Sequence, residues 1–169
     1  MIDMSLDLYI KSQKPVQKRG TGVYVRKDGA TMELKTLAEV VAFFPDADVS
    51  RIQEIIYETD EVWHENITHN MVKMAHHVPI GKLTLFDYLW EPGEHGFDKV
   101  SEVYTQGIST GVSYLKNHKE ELLPFEPPVD PETGKRWGNY DLLVSFCTSL
   151  FKCLSELDLS EAYEIVSSV

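Results

Sequence analysis

Cysteine is almost absent from the chain. Cys147 and Cys153 are the only two in 169 residues, and both fall in a segment that reads as helix. Six helical residues put their Cα atoms roughly 9 Å apart along the axis, beyond the reach of a disulfide. Two reduced thiols at or near the core are expected, and nothing calls for an oxidising compartment. Long apolar runs are missing too: none approaches the roughly 20 residues of a membrane span. The first residues, Met1-Ile2-Asp3-Met4, lack the basic and apolar regions of a signal peptide, so a cytoplasmic protein is expected. Positive charge is in deficit, with 16 Lys and Arg against 27 Asp and Glu and a net charge of −11. That balance argues against general nucleic-acid binding, which needs cations to neutralise phosphates.

The motifs of several chemistries are also lacking. There is no G-x-S-x-G nucleophile elbow, no local cysteine-protease signature, no P-loop and no dinucleotide fingerprint. A zincin motif needs two histidines four apart on a helix. His64 and His69 are five apart, roughly 140° off a common face if helical. His69 and His76 share a face, but no third ligand is spaced with them. No metal and no cofactor is predicted.

What remains is an ordinary globular composition, 43% apolar and 25% charged, of a length that suits one domain. Ser5-Leu6-Asp7-Leu8-Tyr9-Ile10 alternates as a strand does. Residues 11–22 are polar, with Pro15, Gly20 and Gly22, and read as a loop. Asp28-Gly29 between two short strand-like runs signals a hairpin, because the tight turn needs positive φ. Thr36 can cap a helix through Phe44 with Leu37, Val40, Val41 and Phe44 on one face. Residues 57–63 read as a strand. Asn66 or Thr68 can cap a helix to about Val78, with Ile67, Met71, Met74, Ala75 and Val78 inward. Leu83 to Trp90 reads as a short helical element.

Asp98 is the expected cap of the clearest helix, about 98–118. Its stripe is Val100, Val103, Tyr104, Gly107, Ile108, Gly111, Val112 and Leu115. Gly107 and Gly111 each cost the helix about 1 kcal/mol against Ala, which points to another element packed closely there. A proline-rich link over 124–138 precedes a last helix, about 140–154, capped by Asn139. Residues 162–166 read as a terminal strand. The sum is α+β: a small, mostly antiparallel sheet (N-terminal strand, hairpin, central strand, C-terminal strand) packed with four to five helices.

Three features could carry function. First, charge is segregated: Lys11, Lys14, Lys18, Arg19, Arg26 and Lys27 occur without an acid over 11–27, whereas Glu54, Glu58, Asp60, Glu61 and Glu65 occur without Lys or Arg over 54–65. Each block can be a solvated face, or Glu54, Glu58, Asp60 and Glu61 can dock a basic partner. Second, Asn66, His69 and Asn70 cluster where a helix N-terminus would favour an anion. Alternatively Asn66 and Thr68 simply cap and His69 bonds locally. His69 as general base, oriented by Asp7 or Glu65, is the catalytic version of that site. Third, Trp90 and Trp137, with Arg136 beside the latter, can pack in the core or stack on a flat ligand.

The order of Ser5-Leu6-Asp7-Leu8-Tyr9, Asn66-Ile67-Thr68-His69-Asn70 with Met74-Ala75, Leu89-Trp90-Glu91-Pro92 and Trp137-Gly138-Asn139-Tyr140 resembles a group of small phage and prophage proteins. Their segments are S-L-D-x-Y, N-I-T-H-N followed by M-A, L-W-x-P-x-E and W-G-x-Y. This chain has Glu91 where the group carries Arg, and Gly93-Glu94 where it carries two acids. The resemblance implies a phage-borne accessory protein, brings no activity with it, and makes residues 11–56 a hairpin-plus-helix insert in a single domain of 1–169. The expected function is binding, with a host protein such as a defence factor as partner. The alternatives are a binder of a small anionic ligand such as a nucleotide, through Asn66, His69, Asn70, Trp90, Arg136 and Trp137, and a His-dependent hydrolase or transferase.

Overall fold

Leu6, Leu8 and Ile10 are wholly buried and alternate with half-exposed Asp7 and Tyr9, so one face of the first strand is committed to the core. The computed structural model describes residues 5–169. In it strand β1 (Ser5–Gly20) lies at the centre of a three-stranded antiparallel sheet. Its neighbours are β4 (Ile55–Thr68) and β7 (Tyr163–Ser168), in the order β4-β1-β7. The α+β architecture is as expected from the sequence. Among the described residues the hairpin of β2 (Val23–Lys27) and β3 (Ala30–Leu34) pairs only with itself. Its two-residue turn has φ of 55° at Asp28 and 96° at Gly29, the left-handed pair that a tight hairpin demands.

β1 does not end at Ile10, and residues 11–20 are strand rather than loop. Pairing with β4 shifts register between Ile10 and Lys11 and again between Lys11 and Val16, then resumes from Val16↔Thr59 to Gly20↔Ile55. Pro15, which has no N–H to give a ladder, sits inside the irregular stretch. Beyond it the two strands form a ribbon with few buried side chains. A ribbon of this kind has no hydrophobic alternation for sequence reading to detect.

α1 (Leu37–Phe43) starts where expected, with Thr36 Oγ1 accepting the Glu39 N–H at 3.2 Å. Only Val40 of its expected face is buried; Val41 and Phe44 are exposed. Val40 joins Val25 and Leu34 in a small second core fringed by Val23, Val49 and Ile52. A seven-residue helix on a two-stranded hairpin has little else to cover it.

β4 runs through Asn66 and Ile67, so the helix expected at Asn66 begins later. Thr68 ends the strand, and its Oγ1 accepts the Asn70 N–H to open a 3₁₀ turn over His69–Met71. α2 (Val72–His76) follows. Ile67, Met71, Met74, Ala75 and Val78 are all buried, as their spacing predicts. β5 (Pro79–Ile80) and β6 (Leu83–Thr84) make a minimal hairpin, and α3 (Leu85–Leu89) carries a capping box between Thr84 and Asp87.

α4 (Glu102–Asn117) is capped by Ser101, not Asp98: the Ser101 hydroxyl accepts the Tyr104 N–H at 3.1 Å. Asp98 to Val100 instead run beside β7, where Ile165 N donates to Asp98 O and Val100 N donates to Tyr163 O, both at 2.9 Å. Val103, expected inward, is exposed. Gly107 backs onto the Tyr88 ring and Gly111 onto Ile80 and Leu85, the close packing that two helix glycines implied. α5 (Lys119–Leu122) leads into the proline-rich link. α6 (Tyr140–Glu156) starts with the Asn139 carboxamide oxygen accepting the Leu142 N–H at 2.7 Å. The Tyr140 hydroxyl donates to Leu115 O at 2.5 Å, tying α6 to α4, and both helices share the main core with the buried face of the sheet. Cys147 and Cys153, both on α6, are free thiols.

Candidate functional site

Strand alternation sends Asp7 and Tyr9 to the outer face of β1, and register sets them opposite Asn66 and His64. Asn66 is 7% exposed and fully engaged. Its Nδ2 donates to Asp7 Oδ1 and Ser5 Oγ, each at 3.0 Å, and its Oδ1 accepts the Thr31 N–H at 3.3 Å. Asn66 therefore pins the hairpin to the sheet instead of capping a helix. His64 Nε2 lies 2.8 Å from Asp7 Oδ1, and its ring stacks on Tyr9 at 4.2 Å with planes 10° apart. Partial burial, Asp7 and Glu61 together push the Tyr9 phenol up, so it stays neutral and a hydrogen-bond donor.

His69 is exposed at the start of the 3₁₀ turn. Among the described residues no hydrogen bond or ion pair joins it to Asp7 or Glu65. The histidine that meets Asp7 is His64, which sequence reading passed over as a site residue. Glu65 pairs with Leu8 and so lies on the other face of the sheet from Asp7. There the Trp63 indole donates to Ser149 Oγ at 3.0 Å. Glu65 Oε2 is buried without a hydrogen-bond partner among the described residues, and desolvation pushes its carboxyl up, an effect that Ser149, His64 and Trp63 reduce.

The hairpin and α1 stand away from β4 and the first turns of α6, and between them lies a cleft of 1180 Å³. Seven carboxylates line it: Asp7, Asp28, Glu33, Glu39, Glu61, Glu65 and Asp141. Three lysines, Lys18, Lys27 and Lys35, oppose them, with His64 between. Lys18 is lowered, first by burial and then by Lys35. Tyr24, Met32, Phe43 and Tyr57 supply an apolar wall.

The acidic block of the sequence does not form one patch. Glu61 lines the cleft, Glu58 and Asp60 are exposed outside it, and Glu54 accepts the Leu37 N–H at 3.2 Å at the start of α1. Its neighbour across the ribbon is the basic block, with Lys11↔Glu61, Gln17↔Glu58 and Lys18↔Tyr57 in register.

Of the ligand-binding candidates, Asn70, Arg136 and Trp137 come together. Asn70 Nδ2 donates to Trp137 O at 3.2 Å, and Arg136 pairs with Glu126 at 2.7 Å. Arg26 places its guanidinium 5.0 Å from the Trp137 ring centroid. Trp90 is elsewhere: it is 5% exposed, stacked on Phe86 in the main core, and lines no part of the cleft. Asp87, Glu91 and His95 bring ligand atoms within 4.8 Å of one another near the end of α3 and can hold a cation. Asp87 already spends one oxygen on the α3 cap and the other on His95, 3.2 Å away.

No helix among the described residues is long and apolar enough to cross a membrane. No protein-family model, curated protein or solved structure matches the chain.

Proposed function

We propose that the protein works by binding a partner protein, and that the cleft receives a basic, extended segment of that partner. The observation that carries this reading is the cleft's charge, seven carboxylates against three lysines. Its 1180 Å³ exceeds the roughly 300–1,000 Å³ of small-molecule sites. Tyr24, Met32 and Phe43 of its lining are exposed apolar side chains, and Phe44, Ile55 and Ile56, on the same stretches of chain, are exposed too. Exposed apolar side chains gathered beside charge mark interaction surfaces, and complementary charge steers the encounter. The resemblance to phage accessory proteins makes a host protein, such as a defence factor, the class of partner to seek.

Charge reversal tests this. Glu61→Lys is expected to lose a partner captured from host cells, whereas Glu58→Lys and Asp60→Lys, which lie outside the cleft, retain it. Equal retention by all three variants, each folded by circular dichroism, would overturn the reading.

A further inference from the structure

Beside the hairpin turn, sharing Lys27, Asp28 and Asn139 with the acidic cleft, is a smaller pocket of 340 Å³ whose charge is opposite. Arg26, Lys27, Lys135 and Arg136 line it with the Trp137 indole, and Asp28 is the lone carboxylate among its lining residues. We propose that this pocket binds a small planar anion, a ring carrying one phosphate as in a nucleoside monophosphate.

Charge comes first. Glu126 holds Arg136 at 2.7 Å, but Lys27 and Lys135 still outnumber Asp28. The net −11 of the chain does not cancel this locally, since charges are screened over about 8 Å at physiological salt. Arg136 Nε is buried and has no acceptor among the described residues. A buried donor left unpaired costs stability, so this guanidinium gains from a small shift toward an anion.

Flat surfaces come second. Trp137 is 38% exposed although it is a large apolar side chain, and the Arg26 guanidinium lies against its ring. Aromatic rings, the indole among them, and guanidinium planes are protein surfaces on which bases stack. The pocket's volume falls at the lower end of the range for small-molecule sites, which suits one ring and one anion rather than a polymer.

Both walls are held in place. Asp130 N donates to Lys135 O at 2.7 Å and Gly134 N to Asp130 O at 2.8 Å, closing the turn that presents Lys135 to Trp137. Gly29 of the hairpin and Gly138 of the link both back onto Thr68. The site is therefore preformed, and ordering it adds little cost to binding.

The test is a ¹⁵N-correlation titration of the whole chain with AMP, followed through the three indole N–H signals. Trp137 is expected to shift and saturate, while Trp63, bonded to Ser149, and Trp90, in the core, stay put. Adenosine and inorganic phosphate are each expected to bind at least about tenfold more weakly than AMP. Lys135→Glu and Trp137→Ala, both at exposed loop positions, are expected to weaken AMP by about tenfold or more. No saturable shift of Trp137 by AMP would overturn the proposal. So would inorganic phosphate binding as tightly as AMP, which would leave only an anion patch, or oligo(dA) binding more tightly, which would assign the pocket to a nucleic-acid strand. None of these results depends on the acidic cleft.

Discussion

Lys11 faces Glu61 across the β1–β4 ladder, and through that register the two charge blocks of the sequence become neighbours. Residues 11–20 and 55–61 are the two strands of one ribbon, and Lys11–Glu61 is the facing pair of opposite charge in its register. Opposite charges on facing strands are worth a few tenths to about 1 kcal/mol per pair. What the ribbon leaves over is the carboxylate surplus of the cleft, contributed by the hairpin, α1 and α6 as well as by β4.

Asn66 predicts how firmly the hairpin is held. Asn66→Ala removes the acceptor of the Thr31 N–H and both donors to Asp7 and Ser5. A loss of about 1–3 kcal/mol is expected in urea unfolding. Hydrogen exchange at Thr31 is expected to quicken while Leu8 and Ile10 in the core keep their protection.

Gly107 and Gly111 predict unequal responses to alanine. A Cβ at Gly107 would run into the Tyr88 ring, which is itself packed on Tyr104 and Phe97. Gly107→Ala is expected to lower stability by about 1–3 kcal/mol despite the helix propensity that alanine adds. At Gly111 the Cβ meets only the side-chain ends of Ile80 and Leu85, at 3.2 and 3.3 Å. Gly111→Ala is expected to stay within about 1 kcal/mol of the parent. Thermal unfolding of the two variants separates them.

Glu65 predicts a pH dependence. Desolvation raises its carboxyl in the folded state, so the folded protein holds this proton more tightly than the unfolded chain. Its contribution to stability is full below the unfolded pKa and is lost as pH rises through that value towards the raised one. Glu65→Gln is expected to match the parent near pH 4 or below and to be the more stable of the two at about pH 8. A variant less stable than the parent at the higher pH would mean that the carboxylate is paired.

The two thiols predict a labelling order. Burial pushes Cys153 up to about 11 and Cys147 higher still. The thiolate is the reactive form, so iodoacetamide at about pH 8 is expected to modify Cys153 slowly and Cys147 only after unfolding. Rapid modification of Cys147 in the native protein would contradict its place in the core.

The sequence made legible whatever depends on local patterning. Leu6, Leu8 and Ile10 announced a half-buried strand, Asp28-Gly29 the turn, Asn139 the start of α6, and Gly107 the close approach of another element. It concealed what depends on distant partners. Residues 11–20 are strand because 55–61 and the start of β7 lie beside them, and Asp98 fails to cap because it bonds with β7. The same division runs through the site. Asn66, Asn70, Glu61, Arg136 and Trp137 stood out by type and neighbourhood. His64 did not, since its meeting with Asp7 follows from a register set 57 residues away. Trp90 looked like a loop-boundary aromatic, and its neighbours Phe86 and Leu89 drew it into the core instead.

The central claim, that the cleft and its apolar wall receive a partner protein, is tested most directly by a photo-crosslinking residue placed at Phe43 on that wall and, separately, at exposed Val103 on α4. Irradiation in cells that produce the protein is expected to give one dominant adduct from position 43 and none from 103. The partner peptide recovered from it should be rich in Lys and Arg, and the adduct should weaken when Glu61→Lys is introduced. Equal labelling from both positions, or an adduct at 43 that is indifferent to Glu61 and carries an acidic peptide, would contradict the account.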